Sequence, residues 1–173
     1  MKKFATYLLF ATLVLPASSF TVSASGGAGV EHSGANIGDT ASLQRGAKWY
    51  VNYCLGCHTL SYQRYNRLAE DLDLSEEMVM QNLVYSDAKF GETMSIAMDP
   101  DQAEEWFGKT PPDLSLIGRS RGPDWVFSYL RGFYQDGNGG WNNTLLPNAS
   151  MPHVLWRLQG IQTPVYRTET SVS

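Results

Sequence analysis

The sequence predicts a mainly α-helical domain with long irregular connections, and three observations point that way. Apolar side chains recur at helical spacing between Leu43 and Cys54. Asp, Pro and Gly stand where helix caps stand, around Asp99 to Gly108 and Pro123 to Gly132. No stretch alternates apolar and polar residues convincingly enough to read as a strand, and there are no internal repeats. Of the 173 residues, about 150 follow the first 24, the size of one domain that buries most of its apolar surface on folding.

The elements follow in order. Lys2 and Lys3 precede an apolar run from Phe4 to Leu15, and Val22-Ser23-Ala24 offers small residues to a signal peptidase, so residues 1–24 read as a signal peptide. A dozen apolar residues fall short of the ~20 that a spanning helix needs, and no later run reaches that length. Residues 25–38, rich in Gly, Ser and Ala, read as a flexible lead-in, and the domain is expected over 39–164. Leu43, Ala47, Tyr50, Val51 and Cys54 lie on one helical stripe, which delivers the cysteine to the helix end. Asp73 with Glu76 predicts a capping box ahead of a helix through Leu83. Asp99-Pro100-Asp101-Gln102 predicts a cleaner start, with Gly108 as the stop. A further helix runs from Pro123 to Arg131 and ends at Gly132, and residues 136–150 read as an irregular loop. Residues 165–173 form a polar tail that cannot span a bilayer.

Charge narrows the partners. The formal net charge is −4, and without Lys2 and Lys3 there remain 11 basic against 17 acidic residues, a net −6, which argues against nucleic acid. The acids cluster at Glu70, Asp71, Asp73, Glu76 and Glu77, and again at Asp99, Asp101, Glu104 and Glu105. Such runs are ordinarily solvated helix faces; they also suit a patch that steers a basic partner.

The chemistry concentrates in Tyr53-Cys54-Leu55-Gly56-Cys57-His58, which holds both cysteines of the chain. A structural disulfide or a redox dithiol accounts for the pair and leaves His58 without a role. A closed zinc site wants four ligands, and the three histidines, His32, His58 and His153, lack the paired second half of such sites. Covalent attachment of haem c uses every residue: two thiols with a two-residue spacer reach the two vinyl groups, and the histidine next in sequence offers its imidazole to iron. A macrocycle also supplies a core to a loop-rich domain. The second iron ligand is then open among Met94, Met98, Met151, His32 and His153. A thioether would raise the reduction potential, and Met151 stands in Asn148-Ala149-Ser150-Met151-Pro152-His153, an unusual place for a helix-face core residue, although Met also fills irregular gaps.

Taken in order, Arg45-Gly46, Cys54-x-x-Cys57-His58, Ser61-Tyr62-x-Arg64-Tyr65, Pro111-Pro112-Asp113-Leu114-Ser115 with Arg119 and Arg121, Tyr129-Leu130 and Met151-Pro152 resemble the cytochrome c1 family from about Leu43 to Thr163. The family is the haem c subunit of ubiquinol:cytochrome c reductase, and the resemblance implies a cytochrome c-like haem domain with long loops wrapped around one covalent haem. It implies Met151 as the sixth iron ligand, a Pro112-side backbone carbonyl that orients the His58 imidazole, and Arg121 paired with a haem propionate. Members of the family continue into a C-terminal transmembrane helix, whereas the polar stretch 165–173 stands here, so an anchor of its own is not evident and attachment would rest on partner subunits, an uncleaved leader or a longer chain.

The function expected from this resemblance is one-electron transfer on the periplasmic side of a bacterial inner membrane. The haem accepts an electron from a Rieske iron-sulfur protein, in a complex with cytochrome b, and passes it to a cytochrome c acceptor; the polypeptide does no chemistry of its own. The rival from another class is a haem c enzyme or sensor, peroxidase-like or gas-binding, with an open distal iron position.

Overall fold

A computed structural model describes residues 29–96 and 98–165 of the chain. The expected signal peptide and all of the polar tail except Val165 lie outside these residues. In order, the elements are α1 (Thr40–Tyr53), β1 (Leu60–Arg64), α2 (Tyr65–Asp71), α3 (Glu76–Asn82), β2 (Thr93–Met94), α4 (Pro100–Phe107), α5 (Ile117–Ser120), α6 (Pro123–Arg131), β3 (Phe133–Gln135), β4 (Trp141–Asn143) and α7 (Trp156–Gln159).

Local chemistry sets the main helices. The Asp39 carboxylate accepts from the Ser42 N–H at 2.9 Å and caps α1, and the Cys54 N–H closes its far end on the Tyr50 carbonyl at 2.8 Å. In α4 the Asp99 carboxylate takes the N–H groups of Asp101 and Gln102, Pro100 occupies the first turn, and Gly108 leaves the helix at φ 73°. Helix α6 starts on Pro123 and ends at Gly132, as the sequence indicates. Helix α3 is capped differently from the expectation. Ser75, not Asp73, accepts from the Met78 N–H at 3.1 Å, while Asp73 takes φ 52°, a left-handed turn that lets the chain reverse between α2 and α3.

Two antiparallel ribbons also correct the reading that found no strands. β1 pairs with β2 through Leu60↔Met94 and Arg64↔Thr93, with an irregularity between them. β3 pairs with β4 through Phe133↔Asn143, Tyr134↔Asn142 and Gln135↔Trp141, with β3 just before and β4 within the stretch 136–150 that reads as an irregular loop. Strands of two to five residues are too short to display alternation.

The packed core lies under α1, α2, α3 and β2, where Val51, Tyr65, Ala69, Val79, Leu83 and Met94 form one cluster. A second buried group, Ser128, Phe133, Asn143 and His153, joins α6 to the second ribbon. The part of the expected flexible lead-in that is described also packs against α6. The Glu31 N–H donates to Ser128 Oγ at 2.7 Å, Ser33 gives its N–H and hydroxyl to Asp124, and Glu31 pairs with Arg131 at 2.7 Å. Hydrogen bonds order this segment where its apolar content could not. Among the described residues no helix is long and apolar enough to cross a membrane.

Candidate functional site

The cysteine pair sits where α1 unwinds. Cys54 caps the helix, and the N–H groups of Cys57 and His58 both turn back onto the Cys54 carbonyl, at 3.0 and 2.8 Å. This tight turn carries the Cys57 and His58 side chains into an apolar cleft shared with Phe107, Pro111 and Met151. Both cysteines are free thiols, half-buried, and burial pushes the Cys54 thiol up, with the neighbouring Cys57 adding to the shift.

The near wall is held from two sides. The Tyr50 hydroxyl donates to the His58 carbonyl at 2.6 Å, and burial followed by nearby Cys54 raises that phenol. The His58 ring Nδ1 lies 2.8 Å from the Pro112 carbonyl oxygen, so with the proton on Nδ1 the other ring nitrogen is left free to coordinate a metal. That carbonyl is itself positioned. Leu114 donates its N–H to the Thr59 carbonyl at 3.0 Å, and the Asp113 carboxylate takes the N–H and hydroxyl of Ser61, at 2.9 and 2.7 Å, and the N–H of Ser115 at 2.7 Å. Desolvation alone would raise the Asp113 carboxyl, but these hydrogen bonds outweigh it and hold it well below the usual carboxylate range.

The opposite wall comes from the segment after the second ribbon, where Ser150, Met151, Pro152 and Val154 line the same cleft as His58. Two buried or half-buried asparagines shape the approach to it. Asn143 Nδ2 donates to the Tyr129 carbonyl at 2.8 Å, and its Oδ1 accepts from the N–H groups of Leu145 and Leu146. Asn142 Oδ1 accepts from Asn148 N–H at 2.8 Å, and Asn148 takes φ 62°. The Tyr129 hydroxyl lies 3.7 Å from the Met151 sulfur.

Among the five residues left open as distal ligands, Met151 is the one that lines the cleft. Met94 is 1% exposed in the α1–α2–α3 core. His32 is exposed beside Asp124, with Nδ1 at 3.3 Å. His153 is buried between the rings of Phe133, stacked at 5.4 Å, and Trp141, edge-on at 5.2 Å, and burial lowers its pKa. Met98 is half-buried and is not part of the cleft lining. Arg121 stands outside the lining too: its guanidinium lies over the Trp125 ring at 5.1 Å and joins none of the ion pairs among the described residues. Trp125 stacks in turn on Tyr129 at 5.0 Å, which links Arg121 to the Met151 wall through two rings.

The donor set fits iron porphyrin. Phe107, Pro111, Pro112, Pro152 and Val154 give the cleft an apolar lining suited to a flat macrocycle, and imidazole and thioether face the same space from different segments. Among the described residues no cluster of three or more His, Cys, Asp or Glu is placed to hold a metal ion by itself, which sets this site apart from a zinc centre. A Cys-x-x-Cys-His turn facing a methionine across an apolar cleft is the residue set of a c-type cytochrome.

Comparison with known proteins narrows the class. The pattern of the cytochrome c1 family matches residues 33–105. Over 160 residues the chain is 49% identical to a cytochrome c1 of Allochromatium vinosum, covering 91% of this chain and 66% of that protein. It is 46% identical, over 90% of this chain, to a Nitrosomonas europaea protein named ammonia monooxygenase gamma subunit, again covering 66% of the relative. It is 30% identical over 134 residues to a cytochrome b/c1 of Bradyrhizobium diazoefficiens, which covers 55% of this chain and 20% of that protein. The chain belongs to the cytochrome c1 family, a family of haem c proteins that work in electron transport. It spans just under two thirds of the length of the first two relatives.

Signals for some of the supporting residues were present but ambiguous. Asp113 follows a Pro-Pro pair and reads as a turn, and Asn142 and Asn143 stand in a Gly- and Asn-rich stretch that reads as loop. Besides N–H groups two or three residues away, Asp113 holds Ser61 and Asn143 holds the Tyr129 carbonyl, partners that only the folded chain brings near.

Proposed function

We propose that residues 39–164 form a haem c domain that carries single electrons on the periplasmic side of a bacterial inner membrane, as a subunit of a quinol-oxidising complex with cytochrome b. It accepts each electron from a Rieske iron-sulfur protein and passes it to a cytochrome c acceptor. One haem is attached through Cys54 and Cys57, with His58 and Met151 as axial ligands and Arg121 near a propionate. A haem bound there would supply one-electron chemistry, with His58 and Met151 holding its iron, so the polypeptide need only hold, orient and shield it.

The observation that carries this reading is the shared cleft of His58 and Met151, with Nδ1 of His58 held by the Pro112 carbonyl. The relatives named cytochrome c1 and cytochrome b/c1 support the setting in a complex. The exposed acids of α4 gain weight over those of α2 and α3, because α4 ends at Phe107, itself in the cleft lining, with Trp106 59% exposed beside it. An acidic rim around an apolar contact suits a small, quickly released interface with a basic acceptor.

The test is spectroscopic and is made on the haem-loaded protein. A weak near-infrared band of the ferric state that vanishes in Met151→Ala, with no carbon monoxide binding in the wild type, fits the carrier. A high-spin resting state or ready carbon monoxide binding in the wild type would instead support the open-iron enzyme or sensor.

A further inference from the structure

We propose that Tyr129 is a positioning residue for the distal iron ligand, its hydroxyl donating to the Met151 sulfur and raising the reduction potential of the site. The inference rests on Met151 as an axial ligand. The hydroxyl is 3.7 Å from the sulfur, a long contact that still lies within hydrogen-bonding reach of a large, weak acceptor. It is the hydrogen bond made to the Met151 side chain among the described residues.

The tyrosine is fixed at both ends. Its ring stacks on Trp125 at 5.0 Å with 7° between planes and meets Phe133 edge-on at 5.1 Å. Its backbone carbonyl accepts from Asn143 Nδ2 at 2.8 Å and from the Gly132 N–H at 3.1 Å. The hydroxyl therefore meets the sulfur from a direction set by α6 and the second ribbon.

A thioether sulfur has two lone pairs, so it can bind iron with one and accept the hydroxyl proton with the other. The donated hydrogen bond draws density from the sulfur and weakens its donation to the metal. The electron-poor ferric state loses more than the ferrous state, and reduction is favoured.

Tyr129→Phe deletes the hydroxyl and keeps the stacked ring. The reduction equilibrium is expected to move about threefold toward the ferric form, a midpoint ~30 mV lower at 59 mV per tenfold for one electron. The near-infrared band shifts in wavelength without disappearing. Fluorotyrosine placed at position 129, a more acidic phenol and stronger donor, moves the midpoint the opposite way. Ser128→Ala loosens the same helix at its contact with Glu31 but leaves the hydroxyl in place, and the midpoint is expected to stay at the wild-type value. A midpoint unchanged in Tyr129→Phe, or moved equally by Ser128→Ala, overturns the proposal. If Met151→Ala keeps the near-infrared band, the ligand assignment and this inference fall together; if the band vanishes there and Tyr129→Phe has no effect on the midpoint, the inference alone falls.

Discussion

Asn143 is where the distal wall is most exposed to a single substitution. It is 1% exposed and ties three backbone groups: the Tyr129 carbonyl at the end of α6, and the N–H groups of Leu145 and Leu146 on the way to Met151. Asn143→Ala removes all three hydrogen bonds. The Tyr129 carbonyl keeps the Gly132 N–H, and Leu146 is exposed enough to find water, so the loss is less than three full buried bonds. At about 1 kcal/mol per lost bond, with an added penalty for the Leu145 N–H left without a partner, the cost is ~2–3 kcal/mol. Guanidinium unfolding of the ferric haem-loaded protein, followed by backbone circular dichroism and by the near-infrared band, measures it. The band is expected to disappear at lower denaturant than the helices, because the substitution frees the segment that delivers Met151. A loss below about 0.5 kcal/mol, within the range of an ordinary surface change, or two coincident transitions at the wild-type midpoint, would refute the reasoning.

Three further outcomes are expected. Asp113→Ala, which releases Ser61 and Ser115 and loosens the Pro112 carbonyl at His58, costs ~1–2 kcal/mol in urea unfolding after allowance for solvent screening at an exposed site; a variant as stable as wild type sinks the positioning role. The Asp124 carboxyl is held at about 2, chiefly by the Ser33 hydroxyl and N–H with a contribution from His32. A depressed carboxyl contributes stability that is full above its unfolded value of ~3.9 and is lost as pH falls through the folded value. The protection of the Ser33 amide, its exchange rate taken relative to that of an unstructured amide at the same pH, should therefore fall between pH 4 and 2 and be constant above pH 5, and a loss of protection near neutrality would count against this. Electron transfer to a basic acceptor should slow as salt rises from low to physiological ionic strength, less so when Glu104 and Glu105 are changed to Gln; a rate independent of salt removes the steering role of α4.

The starts of α4 and α6 were legible because their signals are local: the Asp99 carboxylate takes N–H groups within three residues, and Pro100 and Pro123 preset the first turn. Ser75 and Asp73 were a harder choice, since each has the chemistry of a cap, and the left-handed turn at Asp73 depends on how α2 and α3 pack. The cysteine pair and His58 carry their chemistry in sequence spacing. Which methionine faces them does not follow from spacing; the loop before Pro152 hints at Met151, and the packing decides it, with a hydrophobic core around Met94 and a cleft wall at Met151. Tyr129, Asn143 and the docking of Glu31 and Ser33 on α6 join residues far apart in the chain, and no local pattern announces them.

Intact mass spectrometry after acidified acetone extraction tests the central claim most directly. The protein is expected to stay pigmented and to be heavier than its polypeptide by one haem, with that added mass lost when Cys54 and Cys57 are both replaced by Ala. A polypeptide at its bare mass, with the pigment in the acetone, would contradict it.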